Sequence, residues 1–147
     1  MKELNIILRE WEKDCVIGQD LAEASKQTPT LHAKYLQLMS EAKRQLKRAE
    51  LDQKTLLKKK WLYYNGKMSQ EEIDQAGWAY DPFDGLKVMK GEMDYYYDSD
   101  VEIQASEELI NNWKTVVETL KEIIDNVKWR HQTIGNMIKW RQFEAGV

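Results

Sequence analysis

The chain has 147 residues, 42% of them hydrophobic and 32% charged, with a net charge of −3. That balance suits one modest folded domain rather than a disordered chain. A single cysteine, Cys15, excludes an intrachain disulfide, and no apolar run approaches the roughly 20 residues that span a bilayer.

Six tryptophans and seven tyrosines against two prolines point to a mainly helical protein. Leu4, Ile7, Leu8 and Trp11 recur at i, i+3, i+4 and i+7, which predicts a short amphipathic helix at the start. The opening apolar run is too short for a signal peptide, and the expected compartment is a reducing cytoplasm with no membrane partner. Gly18 is placed to interrupt the chain, and Asp20 to cap a second short helix over Leu21 to Lys26. Thr28-Pro29 is a further start signal. From there the pattern runs unbroken to Tyr64, with Asn65-Gly66 as the stop, which predicts a helix of about 35 residues.

That helix carries the most unusual local charge. Between Lys43 and Lys67 stand nine Lys or Arg and two acids, a balance of +7 inside an acidic protein. At roughly 100° per residue, Lys43, Lys47, Lys54 and Lys58 share one narrow sector, with Arg44, Arg48 and Lys59 beside it and Trp61 near Lys43 and Lys54. Leu31, Tyr35, Leu38, Met39, Ala42, Leu46, Ala49, Leu56, Leu57 and Tyr64 fill a separate apolar sector. Lys60 falls toward that apolar side, so its stem must snorkel or lie where the helix leaves the core. A charge run is commonly a solvated face, but three consecutive lysines beside an indole also suit an anion-binding role.

Ser69-Gln-Glu-Glu72 has capping-box spacing for a short helix ending near Gly77. Trp78 to Gly85 reads as a turn-rich loop. From Met68 to Glu108 twelve acids face two basic residues, Lys87 and Lys90. This stretch is either a solvated linker or a surface that meets basic groups on a neighbour, and Met93 to Ile103 admits a short strand or hairpin. Ser106-Glu-Glu then opens the last helix. Its stripe of Ile110, Trp113, Val117, Leu120, Ile124, Val127, His131, Ile134, Ile138 and Arg141 steps by three and four. A second row, Leu109, Val116, Ile123 and Met137, widens the apolar face beyond a two-stranded seam. Packing against the long basic helix and self-assembly both suit so wide a face. For assembly the expected contacts are Trp113, Leu120, Ile124, Val127, Ile134 and Ile138, and the helix is expected to end near Phe143-Glu-Ala-Gly146. The chain thus divides, within one structural domain, into a helical region over 1–67, an acidic loop-rich segment over 68–105 and a C-terminal oligomerisation helix over 106–147.

No catalytic constellation is present. His32 and His131 are isolated, and His131 lies on the apolar stripe, where a core or interface role is expected. Cys15 has no CxxC partner, Asp81 to Gly85 lacks the spacing of a calcium loop, and no Gly-rich phosphate loop or nucleophile elbow occurs. The expectation is a non-enzymatic protein with no cofactor and no metal.

Three stretches carry a family resemblance: Leu8-Arg-Glu-Trp-Glu-Lys-Asp14 with the short apolar run after it, Gln53-Lys-Thr-Leu-Leu-Lys-Lys-Lys-Trp-Leu-Tyr-Tyr-Asn-Gly66, and Phe143-Glu-Ala-Gly146. In them the chain resembles the UvsY family, the recombination mediator proteins of T-even-like phages. The likeness spans nearly the full length, but the middle segment is longer and more acidic here. The resemblance implies a protein that binds single-stranded DNA, contacts the phage single-strand-binding protein and helps a RecA-like recombinase nucleate on covered DNA, in the cytoplasm of the infected bacterial host. It also implies a ring-like or open-barrel homo-oligomer of about seven subunits whose assembly depends on the C-terminal helix. The family's DNA-binding pair is two basic residues spaced by one, which fall at Lys58 and Lys60. The second is Lys where the family has Arg, keeping the charge but not the planar fork, and Lys59 stands where the family has a small residue. Lys43, Arg44, Lys47, Arg48, Lys54, Lys59 and Trp61 extend the candidate surface, and Trp61, Tyr63 and Tyr64 are candidates to stack on bases, with packing favoured for Tyr64. The alternative is a helical scaffold or adaptor whose lysines are merely solvated.

Overall fold

In the computed structural model, which describes residues 1–146, six helical elements follow one another. They are α1 (Lys2–Asp14), α2 (Leu21–Tyr64), α3 (Gln70–Ala76), a single 3-10 turn (Lys90–Glu92), α4 (Met93–Asp98) and α5 (Val101–Glu144). The described residues contain no strand.

Local chemistry sets these boundaries. Asp20 caps α2 by accepting the Glu23 N–H at 3.1 Å. The two helices expected on either side of Thr28 are one, because Pro29 sits on an exposed face inside α2. The Ser25 carbonyl that loses its partner there belongs to an exposed residue, so water can take it. At the other end Gly66 adopts φ +67°. Its N–H bonds the Tyr63 carbonyl and the Lys67 N–H bonds the Leu62 carbonyl, closing α2 in a Schellman motif. Ser69 and Glu72 form the expected capping box of α3, and Gly77 ends that helix in the left-handed region.

The strand or hairpin expected over Met93 to Ile103 is instead a helical turn followed by the start of α5. Asp100, rather than Ser106, caps α5: its Oδ1 accepts the N–H groups of Glu102 and Ile103, each at 3.0 Å. Tyr96 and Tyr97 then fall on one side of a short helix and pack against the buried tyrosines of α2, an anchoring that a strand's alternation would break.

The chain groups into two compact units, each drawing on parts of both long helices. The first unit takes Met1–Gln45 and the chain from Asn112 onward. Its core joins Ile7 of α1, Tyr35 and Ala42 of α2, and Val116, Leu120, Ile123, Ile124 and Val127 of α5. Leu21 and Ala24 pack separately with Ile134. Tyr35 is wholly buried, and its hydroxyl donates to Asp14 Oδ2 at 2.8 Å while Lys34 Nζ reaches the same oxygen at 2.6 Å. The second unit, Leu46–Asn111, is built on Tyr63, Tyr64 and Ile73, with Met68, Trp78, Phe83, Met93, Tyr96 and Tyr97 around them.

The phase of α5 differs from expectation at two places. Arg130 is buried and His131 is exposed. Of the six expected assembly contacts, Leu120, Ile124, Val127 and Ile134 are buried in the chain's own core, Trp113 packs against it, and Ile138 alone is exposed. The wide stripe is mostly used intramolecularly.

Truncating Leu120 to Ala is expected to lower unfolding stability by about 2–5 kcal/mol, because the cavity opens where all neighbours are fixed. The same change at the exposed Leu109 is expected to stay within about 0.5 kcal/mol. Chemical denaturation of both variants checks the contrast.

Candidate nucleic-acid interface

The candidate cations lie on α2, and their surroundings differ sharply. Lys43, Arg44, Lys47, Arg48, Lys54, Lys58 and Lys59 are all exposed. Lys43 and Arg44 belong to the first unit and the others to the second. Arg44 pairs with Glu41, and Arg48 Nε with Asp52 Oδ1 at 3.3 Å. Among the described residues no carboxylate lies within ion-pair reach of Lys43, Lys47, Lys54, Lys58 or Lys59. In the second unit Lys47, Lys54 and Lys58 therefore present free ammonium groups along one helix face, in a chain with more acids than bases.

Lys58 and Lys59 also line a groove of about 630 Å³ formed with Thr55, Leu56, Leu62, Met68, Glu72 and Trp78. Trp61 beside them is 46% exposed, with the Lys67 ammonium 4.5 Å from its ring centroid. An exposed indole carrying a cation on its face is chemically suited to stacking beside a phosphate. Tyr63 and Tyr64 are not so placed. Both are buried; the Tyr63 hydroxyl donates to the Ala79 carbonyl at 2.6 Å and the ring packs on Trp78 at 4.9 Å. Tyr64 donates to Asp100 Oδ2 at 2.6 Å. The stacking role expected of Tyr63 thus gives way to packing, and packing holds for Tyr64.

Lys60 departs most from expectation. It is 4% exposed, and its ammonium lies 3.0 Å from Asp100 Oδ2, 3.5 Å from Glu102 Oε1 and 3.8 Å from the Trp78 ring centroid. Its position on the apolar side of the wheel is the cause: the side chain enters the core, and a buried ammonium requires a carboxylate. The Trp78 indole N–H in turn donates to Glu102 Oε1 at 2.5 Å. Asp100, Glu102 and Trp78 were missed at the level of sequence. The one signal was the phase of Lys60 on the apolar side, which suggested a snorkelling stem and named no acid partner. The acidic stretch is likewise not wholly a solvated linker, since two of its carboxylates are spent on this lysine.

Burial by itself would raise the Asp100 carboxyl. Hydrogen bonds from Tyr64, Lys60 and the Ile103 N–H, with the Lys60 charge, outweigh it and hold the group below its usual 3.8. The Tyr64 hydroxyl moves up, first by burial and then by its bond to Asp100. Because the Asp100 pKa is lower folded than unfolded, its contribution is complete above the ordinary carboxylate range and fades as pH falls through the folded value. Asp14 in the first unit is lowered as well, burial being outweighed there by hydrogen bonds from Lys34 and Tyr35. Thermal stability is expected to be flat above about pH 5 and to fall steadily toward about pH 2. Asp100→Asn should make that fall shallower without abolishing it, since Asp14 remains; unfolding followed across this range checks the slope.

No group of His, Cys, Asp and Glu suited to a metal occurs among the described residues, and none of their helices is long and apolar enough to cross a membrane.

The family model described as recombination, repair and ssDNA binding protein UvsY matches residues 10–147. Among solved structures, the bacteriophage T4 recombination mediator protein UvsY in its lattice type II crystal is similar at a TM-score of 0.77, with 23% identity over 96% of each chain. Its lattice type IV crystal gives a TM-score of 0.77 and 22% identity over 96% of this chain and 98% of that one. Lattice type I gives 0.76 and 23% over 93% and 97%. At these identities the likeness speaks for the fold. No curated protein matches the chain.

Proposed function

Because the chain belongs to the UvsY family of recombination, repair and single-stranded-DNA-binding proteins, we propose that the exposed lysines of α2 in the second unit bind single-stranded DNA without reading its sequence. The observation that supports this most directly is the set of free ammonium groups at Lys47, Lys54, Lys58 and Lys59, unpaired although acids outnumber bases in the chain. Phosphates attract them whatever the base, and Trp61 supplies a ring that any base can stack on.

On this reading the protein is a recombination mediator acting in the cytoplasm of an infected bacterium. It holds DNA covered by a single-strand-binding protein while a RecA-like recombinase nucleates. The bacteriophage T4 protein of similar fold is described as such a mediator. One subunit's lysines neutralise few phosphates, so useful affinity calls for an array, and we take that array to be a ring of about seven copies. Its contacts are placed on the part of α5 that the chain's own core leaves open: Ile138, Trp140 and Phe143, the last two stacked at 5.6 Å. Ile134, buried against Leu21 and Ala24, belongs to the monomer.

Two measurements test this. In fluorescence-anisotropy titrations with an oligonucleotide, Lys58→Ala and Lys59→Ala are each expected to reduce the slope of log affinity against log salt by about 0.7. Trp61→Ala is expected to weaken binding by about 1–3 kcal/mol with the slope kept. No binding by the intact chain would leave the helical scaffold. Separately, Trp140→Ser with Phe143→Ser is expected to lower the mass seen by light scattering while the helical circular dichroism stays; an unchanged mass would move assembly off this face.

A further inference from the structure

We infer that Lys60 is a positioning residue of the DNA-binding surface and makes no contact with phosphate. This rests on the single-stranded-DNA reading of the neighbouring lysines and says how that surface is kept basic. Lys60 is the middle of a closed set. Its ammonium touches Asp100 at 3.0 Å, Glu102 at 3.5 Å and the face of Trp78 at 3.8 Å, and its side chain is 5% exposed. A phosphate contact would require the ammonium to leave all three. Asp100, also 5% exposed at its side chain, would then keep a buried charge with only the Tyr64 hydroxyl and backbone N–H groups to hold it. Removing one partner of a buried pair is strongly unfavourable, and a phosphate at the surface returns nothing to the carboxylate left behind.

What Lys60 does for the surface follows from where its carboxylates sit. Glu102 lines the groove that Lys58 and Lys59 also line. Without Lys60, Asp100 and Glu102 would place two uncompensated negative charges within the unit that carries those lysines, and would repel the phosphates they attract. Lys60 cancels part of that field from inside. It also ties the last turn of α2 to the cap of α5, since Asp100 Oδ2 takes both Lys60 and Tyr64 while Oδ1 caps the helix. The basic pair spaced by one then divides its labour: Lys58 faces solvent, and Lys60 faces the acids.

A charge-conserving replacement tests this. Lys60→Gln alone is expected to lower oligonucleotide affinity, because the acids lose their counter-ion. Adding Asp100→Asn keeps a neutral hydrogen-bonding pair and the cap and restores the original net charge. The double variant is expected to recover affinity to within about threefold of the natural chain, at an unchanged salt slope. A slope that stays about 0.7 lower in the double variant would overturn the inference, since only a lost phosphate contact survives that compensation. A second measurement uses the unaltered protein and does not depend on any variant folding. Acetylation by acetic anhydride, mapped by mass spectrometry, is expected to modify Lys58 and Lys59 in the free protein and to spare them in the complex. Lys60 is expected to be spared in both. Modification of Lys60 in the free protein overturns the inference and leaves DNA binding standing; absence of oligonucleotide binding by the natural chain overturns both.

Discussion

The second unit depends on one buried ion pair, Lys60 with Asp100. A single aspartate does three jobs there: it neutralises a lysine of α2, accepts the hydroxyl of Tyr64 and caps α5. Trp78 closes over the same ammonium, so the loop after α3 is tied to the pair as well. Such a pair is a poor source of net stability, because desolvating two charges costs about what their attraction returns. Its value lies in direction. An apolar contact tolerates sliding, whereas an ammonium shared by a carboxylate, a second carboxylate and an indole face allows one register of the α2 end against the α5 start.

The first unit solves its own problem with the same chemistry. Tyr35 donates to Asp14, and Lys34 reaches that carboxylate and Glu10. Both trios of Tyr, Asp and Lys are seated on α2, so α2 supplies the tyrosine and the lysine to each unit and receives an acid from another segment. They differ in exposure. The Lys34 side chain is 38% exposed and keeps much of its hydration, while that of Lys60 is 5% exposed and keeps little. The Lys34 pair is therefore open to screening by salt, and the Lys60 pair is shielded from it.

How far the sequence reached depends on the range of the interaction concerned. Caps and stops are local, so Asp20, the capping box of Ser69 and Glu72, and the glycine stop of α2 were legible from residues a few positions apart. The mainly helical class and the exposed lysine face followed from periodicity alone. Pro29 misled because a proline signal says that a helix can begin, not that the preceding turn is absent, and Leu21 and Ala24 have partners that hold that turn. The stretch from Met93 to Ile103 admitted a strand or hairpin, and its conformation is decided by aromatic neighbours distant in the chain. Lys60 was half legible: its phase set it toward the apolar side, which suggested a snorkelling stem, but it is buried instead, and its acid lies forty positions along the chain, beyond any local pattern.

The same division of charge bears on how tightly one copy can hold DNA. Of the basic residues between Lys43 and Lys67, Lys60 is committed to internal acids, and Arg44 and Arg48 are engaged by acids one helical turn away. In the second unit Lys47, Lys54, Lys58, Lys59 and Lys67 are left without an ion partner among the described residues, so on the proposed reading a single copy offers a handful of phosphate contacts. Each contact is paid back in released counter-ions, and a handful gives affinity that is weak at physiological salt. On the proposed reading that weakness is useful. A mediator has to surrender its strand to a recombinase, and many weak sites on one assembly hold a strand firmly while any one lets go. Strengthening each subunit with a further free cation at position 60 would work against that release, and it would strip the cap of α5 of its counter-ion. On that reading, burying Lys60 keeps the acids quiet and keeps the number of phosphate contacts per copy small.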